Sequence, residues 1–85
     1  SYMANIYITK KEYKADIKAA EVREYKADLK YWITDKLHKA KNSDCKWFFV
    51  NKEYQADKII CFVKEYKADI KLAEVDKEHK ATGNF

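Results

Sequence analysis

One pentapeptide, Glu-Tyr-Lys-Ala-Asp, recurs along the chain and constrains the fold more than any other feature of the sequence. Six copies occur, at residues 12–16, 24–28, 37–41, 53–57, 65–69 and 78–82. Three of them are intact, and the fourth copy along the chain differs only at Gln55. The copies at 37–41 and 78–82 are weaker, and both have His in place of Tyr. Internal repeats of this kind determine the architecture of a chain before any local preference does.

The six copies form two groups of three. The motif alanines of the first group are Ala15, Ala27 and Ala40, and each has a counterpart 41 residues later, at Ala56, Ala68 and Ala81. Sequence around the motifs matches at the same offset. The pattern indicates a tandem duplication with internal repeats at about 4–44 and 45–85, and the length predicts a single domain over 1–85.

Composition narrows the class of protein. Hydrophobic residues make up 47% of the chain, which is too many for a disordered protein of this charge. No apolar run approaches the ~18 residues that a membrane span needs, and no secretory signal is evident, so we expect a cytoplasmic protein without a membrane partner. Ser1 and Tyr2 are interpreted as an added extension before a natural start at Met3. Cys45 and Cys61 lack a metal-ligand spacing, and we expect two reduced thiols.

The repeats also decide between helix and strand. Residues 10–41 are rich in helix-forming Ala, Lys and Glu. Their counterparts in the second half, however, include the apolar runs 47–50 and 59–63, which are typical of strands, and duplicated halves should share a fold. The sequence therefore predicts an all-β fold in which single helical turns, formed by the pentapeptides, link about six short strands. These strands are expected near 5–9, 17–22, 29–34, 46–50, 58–63 and 70–75.

Several predicted strands are apolar on both faces, so each face of the sheet needs a cover. A small barrel or sandwich of two three-stranded halves, related by a pseudo-two-fold axis, would provide it, as would two chains packed face to face. A short β-solenoid that stacks equivalent strands in parallel is an alternative. Exposed Trp32, Phe48 and Phe62 would form an apolar patch that monomers rarely carry. We therefore expect a homo-oligomer, most simply a dimer, with these three residues on its interface.

The recurring unit is an apolar strand that ends in Val, one or two charged or polar residues, and Glu-Tyr-x-Ala-Asp. It stands at 22–28, 50–57 and 63–69. In this the chain resembles a family of small uncharacterised bacterial proteins built from repeated strand-plus-EYxAD units. The resemblance implies an architecture and carries no activity, cofactor or site residue with it.

Catalytic and metal-binding patterns are lacking in the sequence. There is no Gly-rich phosphate loop, nucleophile elbow or HExxH motif. The motif aspartates come one to a unit, which does not make a calcium loop, and His38 and His79 lack further ligands at metal-site spacing. We expect no enzyme, no catalytic residue, no cofactor and no metal.

Two basic clusters are the remaining candidates for a binding site. They surround the two histidines and comprise Lys36, His38 and Lys39 in the first half and Lys77, His79 and Lys80 in the second. Together with nearby aromatic residues they could contact phosphate or another anion. The sequence thus favours a small association module that assembles with itself and contacts a protein partner. A basic nucleic-acid or phosphate-binding module is the alternative.

Overall fold

The computed structural model describes residues 4–85, so the interpretation of Ser1 and Tyr2 as an added extension lies outside these residues. The prediction of an all-β chain with six short strands is confirmed. The strands are β1 (Asn5–Ile8), β2 (Ile17–Glu21), β3 (Leu29–Ile33), β4 (Lys46–Phe49), β5 (Lys58–Phe62) and β6 (Ile70–Glu74). Each is one residue shorter than predicted. The residue that follows each strand nevertheless donates its N–H to the neighbouring strand, as Val22 does to the Leu72 carbonyl at 2.8 Å.

The pentapeptides form single 3₁₀ turns, as the sequence predicted. The turns are η1 (Glu12–Lys14), η2 (Glu24–Lys26), η3 (Leu37–Ala40), η4 (Glu53–Gln55), η5 (Glu65–Lys67) and η6 (Glu78–Lys80). In five of them the N–H of the motif alanine donates to the carbonyl of the residue that opens the turn. That alanine has extended dihedral angles, with φ −77° and ψ 137° at Ala15. Each helical segment therefore ends after a single turn, and the chain then enters the next strand.

All six strands are parallel and close into a barrel in the order β1-β4-β3-β6-β2-β5. Of the arrangements that the sequence left open, the closed barrel is the one formed. Every strand thus has a hydrogen-bonded neighbour on both sides, and the barrel has no free sheet edge. Equivalent strands of the two repeats are parallel neighbours, which is the pairing expected of the solenoid alternative.

Strands from the two repeats alternate around the barrel. Asn5 pairs with Phe48, Ile17 with Ile60 and Leu29 with Leu72, each 43 positions further along the chain. The repeat length is 41, so equivalent strands are staggered by two residues. Because an even stagger keeps alternate side chains on the same face, the inward positions of one strand meet the inward positions of the next.

Interleaving requires each connection to pass outside a strand of the other repeat. Turn η2 links β2 to β3 and lies against β6, and η5 links β5 to β6 and lies against β2. The outward side chains beneath these crossings are small, namely Ala73 on β6 and Ala20 on β2, and both are buried. The chain's own turns therefore cover the outer face of strands that are apolar on both faces.

The barrel interior holds the main core. Its fully buried large side chains are Trp47, Ile6, Leu29, Ile60 and Leu72. The Trp47 indole stacks on the Tyr31 ring with centroids 3.9 Å apart and planes 8° apart, and it donates from Nε1 to the Asp44 carbonyl at 2.7 Å. Both cysteines are free thiols; Cys61 is buried and Cys45 is half-buried.

The aspartate that ends the motif bonds across strands. The N–H of Asp28 donates to the Lys71 carbonyl at 2.8 Å, and Asp28 Oδ2 accepts from the Lys71 N–H at 2.9 Å. Asp16, Asp57 and Asp69 make the same reciprocal contact with Ile59, Asn5 and Lys18. The aspartate thus fixes the register where a strand begins.

Replacing Asp28 with alanine should therefore lower the free energy of unfolding by about 1 kcal/mol, because an N–H of Lys71 loses a charged acceptor in a partly solvated place. Urea denaturation would measure it. Asp76→Ala is the control, since Asp76 only contacts Lys80 at the surface at 3.6 Å, and exposed pairs of this kind contribute ~0–1 kcal/mol. An Asp28→Ala variant no less stable than Asp76→Ala would contradict the assigned role.

Candidate functional site

The 3₁₀ turns form a belt around the barrel, joined by ion pairs between the lysine of one turn and the glutamate of another. Lys14 of η1 contacts Glu53 of η4 at 2.9 Å, and Lys67 of η5 contacts Glu12 of η1 at 2.8 Å. The pairs Lys26–Glu65 and Lys39–Glu78 join η2 to η5 and η3 to η6 at 3.2 and 3.5 Å. The hydrogen bond from Lys67 holds the pKa of the Glu12 carboxyl below its usual range. Three of these junctions connect η4, η1, η5 and η2 in that spatial order.

Between η4 and η3 the belt lacks the two residue types that form an ion pair. Here Gln55 stands at the motif position of lysine, and Leu37 stands at the position of glutamate, so both partners of an ion pair are replaced. A cleft of about 680 Å³ opens at this place, between Gln55 and Leu37. Its lining consists of Asn5, Leu37, Phe48, Phe49, Val50, Asn51 and Gln55. None of the seven is charged, in a chain with 38% charged residues.

One side-chain atom of Asn5, a residue that lines this cleft, lacks a hydrogen-bond partner. The Oδ1 atom of Asn5 is buried, and no hydrogen-bond donor within residues 4–85 reaches it. A buried carbonyl oxygen without a donor is costly, and in folded proteins such an atom commonly binds a water molecule or a ligand. The surface that the cleft presents consists of the carboxamides of Asn51 and Gln55 and the rings of Phe48 and Phe49, since Asn5 Oδ1 is itself shielded from solvent.

The motif tyrosines project from the belt into solvent. Tyr13, Tyr25, Tyr54 and Tyr66 are 79%, 81%, 83% and 84% exposed. Tyrosine is normally at least half-buried because its ring is apolar. We define these four residues as the tyrosine row, since they lie on the turns η4, η1, η5 and η2 that the ion pairs join.

The two ends of the barrel differ. At the amino ends of the strands, the C-terminal residue Phe85 packs on the core, with its ring 6.0 Å from that of Trp47, and its N–H donates to Asp44. At the carboxyl ends, Ile8, Phe49 and Phe62 are the last residues of β1, β4 and β5 and are 38%, 40% and 37% exposed. They share the inward parity of the buried residues two positions earlier, so they line the rim of this end. We call it the open mouth.

The other half of the open mouth is acidic. Glu21 and Glu74 end the adjacent strands β2 and β6 and are exposed. Below them, the Tyr31 hydroxyl donates to Glu21 Oε1 at 2.9 Å. Burial of Tyr31, together with this hydrogen bond, raises the pKa of its phenol well above the usual range. Tyr31 therefore stays neutral at physiological pH. Its hydroxyl links Glu21, at the rim of the mouth, to the buried core.

A family model described as the 7(1) septoil knot domain matches residues 3–83. The chain belongs to the septoil knot family. The interleaved path of its backbone, in which each repeat runs between strands of the other, agrees with a family defined by a knot. No curated protein and no solved structure gave a significant match.

The septoil knot fold brings the two predicted basic clusters together. Lys36, His38 and Lys39 precede or lie in η3, whereas Lys77, His79 and Lys80 precede or lie in η6, and the Lys39–Glu78 pair joins the two turns. Both histidines are exposed. Part of the positive charge is already neutralised, because Lys39 contacts Glu78 and Lys80 contacts Asp76 at 3.6 Å.

The three predicted interface residues do not form one patch. Trp32 and Phe48 are half-buried on the outer face of neighbouring strands β3 and β4, and Lys39 Nζ lies 5.6 Å above the Trp32 ring. Phe62 lies instead at the open mouth. Sequence reasoning had not singled out Ile8, Phe49 or the exposure of the tyrosines. The tyrosines could have been found, since four of six motif copies keep Tyr although the turn also accepts His.

Neither a metal site nor a membrane helix is found in the part of the chain that the structure describes. Residues 4–85 contain no group of three or more His, Cys, Asp and Glu side chains placed to hold a metal ion. Within the same residues no helix is long and apolar enough to span a membrane.

Proposed function

We propose that this septoil knot protein is a non-enzymatic association module that assembles with a second copy of itself through the open mouth. The observation that carries the proposal is the difference between the barrel ends: Phe85 covers one, and the other exposes Ile8, Phe49 and Phe62. Exposed apolar residues that are contiguous mark interaction surfaces more often than isolated ones do.

Contiguity follows from the strand order. β4, β1 and β5 are consecutive in the barrel, so their terminal residues Phe49, Ile8 and Phe62 are neighbours along the rim of the mouth. Their side chains would each lose water on contact with a flat apolar partner, at ~25 cal/mol for each Å² of apolar area. The apolar half of a second open mouth is such a partner.

Symmetry supports a second copy as the occupant. A two-fold axis that passes through the apolar half of the mouth places Ile8, Phe49 and Phe62 of one copy against the same three residues of the other. The molecule measures 33 × 31 × 18 Å, and a disc face of that size offers roughly 800 Å², which is a standard interface per partner.

Sedimentation velocity or light scattering over a concentration series tests this proposal. Wild-type protein should show a dimer mass at high concentration, and Phe62→Lys should remain a monomer, because the change puts a charge in the apolar half of the mouth. Tyr25→Lys, on the belt, is the matched control and should dimerise like wild type. A wild-type protein that stays monomeric throughout the series would overturn the proposal, as would a Phe62→Lys dimer of unchanged affinity.

Three further expectations belong to this proposal. We infer that the strand-plus-EYxAD unit is the repeat of the family and that the two repeats are related by an approximate two-fold axis; the common stagger in three strand pairs supports both. A reducing, cytoplasmic location is supported by the two free thiols. A protein partner in place of the second copy would be recognised by the same mouth.

A phosphate-binding or nucleic-acid-binding surface is the second candidate, favoured by the adjacency of η3 and η6. A cleft of about 420 Å³ beside η3 is lined by Trp32, Lys36 and Lys39 together with Ile33, Thr34 and Asp35. An aromatic ring beside lysines suits a base and its phosphate. Binding to single-stranded DNA and RNA should then weaken with salt and be lost in Lys36→Glu/Lys77→Glu, while Lys64→Glu/Lys52→Glu retains it. Absence of binding at low salt would discard this candidate.

A further inference from the structure

We propose that the uncharged cleft between η4 and η3 binds a small neutral heterocycle, a flat ring that carries an amide-type or amidine-type edge. Nucleobases and nicotinamide belong to this chemical class. Two observations carry the proposal. A second cleft of the belt is charged at the equivalent positions, and the groups that remain in the uncharged cleft are apolar side chains and carboxamides.

The second cleft lies between η1 and η4 and provides an internal comparison. Residues 7–10 and 14 line it, and they stand 41 positions before residues 48–51 and 55 of the uncharged cleft. Glu53 also lines it, and Glu53 opens one copy of the motif as Leu37 opens another. The two clefts are therefore built from equivalent positions of the repeat.

Charge distinguishes the two clefts. The one between η1 and η4 is lined by Lys10, Lys14 and Glu53, and the Lys14–Glu53 ion pair joins its two turns at 2.9 Å. In the uncharged cleft the same positions hold two carboxamides and a leucine, and the volume is about 680 Å³ against about 380 Å³. Because the fold accepts an ion pair at such a junction, folding alone does not account for the loss of every charge. An uncharged occupant does.

The apolar side chains of the uncharged cleft remain partly in water. Leu37 is 45% exposed, at the position where the five other motif copies have glutamate. Phe48 and Val50 are half-buried and line the same cleft. A flat ring placed against these side chains would remove apolar surface from water and could stack on the Phe48 ring. The apolar part of the lining therefore favours a ligand with a planar ring.

The carboxamides determine which edge the ring must carry. Those of Asn51 and Gln55 are exposed at the cleft, and each has an acceptor oxygen beside a donor amino group. Two hydrogen bonds to such a side chain require a ligand edge with a donor next to an acceptor, as adenine presents to Asn or Gln. A carboxylate ligand has acceptors alone, so it leaves the carboxamide oxygen without a donor.

The dimensions favour one small molecule. A volume of about 680 Å³ lies within the range of small-molecule sites, roughly 300–1,000 Å³. None of the described residues that line the cleft is a lysine or an arginine, so a phosphate group would find no cation inside it. The expected ligand is therefore a base, a nucleoside or a similar neutral ring, without a phosphate in the cleft.

Titration of isotope-labelled protein, followed by heteronuclear NMR, tests the proposal with adenosine, nicotinamide, nicotinate and benzyl alcohol. Adenosine and nicotinamide should shift the side-chain amide signals of Asn51 and Gln55. Nicotinate has the ring of nicotinamide with a carboxylate, and benzyl alcohol has a ring without the paired donor and acceptor. Both should bind about tenfold more weakly than nicotinamide, because each leaves a carboxamide group unpaired.

Two double variants are matched for this test. Leu37→Glu/Gln55→Lys introduces the residue types that form the ion pair between η1 and η4, so the fold should stay intact and the affinity for nicotinamide should fall about tenfold or more. Lys26→Gln/Glu65→Leu is the control, because it removes an ion pair from another junction of the belt and should bind nicotinamide like wild type.

The test also separates this site from self-association. Phe49 belongs to both the cleft and the open mouth, and it is left unchanged in every variant. Phe62→Lys alters the mouth and should bind nicotinamide normally. Three results would overturn the proposal: no shift at Asn51 or Gln55 with millimolar adenosine or nicotinamide, binding of nicotinate or benzyl alcohol as tight as that of nicotinamide, or an unchanged affinity in Leu37→Glu/Gln55→Lys.

Discussion

Trp47→Ala is expected to remove about 3–5 kcal/mol from the free energy of unfolding, the usual cost of truncating a fully buried aromatic residue. The side chain has no exposed surface. It lies between the Tyr31 ring, 3.9 Å away, and the Phe85 ring, 6.0 Å away, and its indole N–H bonds to the Asp44 carbonyl. Truncation leaves a cavity in a short barrel that has few other large side chains.

The effect should be measured by urea denaturation followed by far-ultraviolet circular dichroism. Total stabilities of small domains are about 5–15 kcal/mol, so this loss could take the protein to the edge of folding. Trp32→Ala is the matched control, because Trp32 is half-buried on the outer face. This variant should lose clearly less free energy of unfolding than Trp47→Ala. Equal losses in the two variants would show that the barrel interior does not dominate stability.

Gly83→Ala should be the second most damaging single change, with a loss of about 2–4 kcal/mol from left-handed strain and a backbone clash. Gly83 has φ 110°. A Cβ atom there would lie 2.9 Å from Leu29 Cα and 3.0 Å from the Asp28 carbonyl oxygen, and neither backbone atom can move freely. The residues on both sides hold the C-terminal segment in place: Thr82 pairs with Lys30, and Phe85 covers the end of the core.

Hydrogen exchange would localise this effect. The Lys30 N–H donates to the Thr82 carbonyl at 2.8 Å and should exchange much faster in Gly83→Ala, because the segment detaches to relieve the clash. Asn84→Ala, at the exposed next residue, should leave the Lys30 exchange rate unchanged. A Gly83→Ala protein with wild-type stability and wild-type exchange at Lys30 would contradict the close approach.

The strands and turns could be predicted from the sequence because two independent signals agree on them. The run Ile59–Phe62 within β5 is apolar and rich in β-branched or aromatic residues, and the 41-residue repeat transfers that assignment to the ambiguous residues of β2. The motif supplies the turns, since its Glu, Lys and Ala fit a single helical turn. Boundaries were one residue too long at Val22 and Val63, which bond to the next strand without continuing the ladder.

The interleaved strand order could not be predicted, because a sequence repeat does not determine which strands are neighbours in the sheet. Halves that pack side by side and halves that alternate use the same apolar pattern. Only the small residues Ala20 and Ala73, buried under crossing turns, distinguish the two arrangements, and alanine on a strand is common where no turn crosses it. The hydrogen bond between Asp28 and Lys71, which lies in the other repeat, likewise follows from the strand order. No local sequence pattern indicates it.

The candidate surfaces depend on that order as well. Ile8, Phe49 and Phe62 are far apart in sequence and become neighbours only because β4, β1 and β5 are adjacent. The cleft beside Asn5 exists because η3 and η4 meet, which brings Leu37 to Gln55. The change of both residues from the motif was visible in the sequence, but their proximity was not.

Nuclear Overhauser spectroscopy on isotope-labelled protein tests the interleaved barrel most directly. Parallel pairing predicts cross-strand contacts between backbone protons of β1 and β5 at Tyr7 and Ile59, and between β2 and β6 at Ala20 and Lys71. It predicts none between β1 and β2. Contacts that join β1 to β2 and β2 to β3 would show two separate three-stranded halves and would contradict the belt, the cleft and the open mouth together.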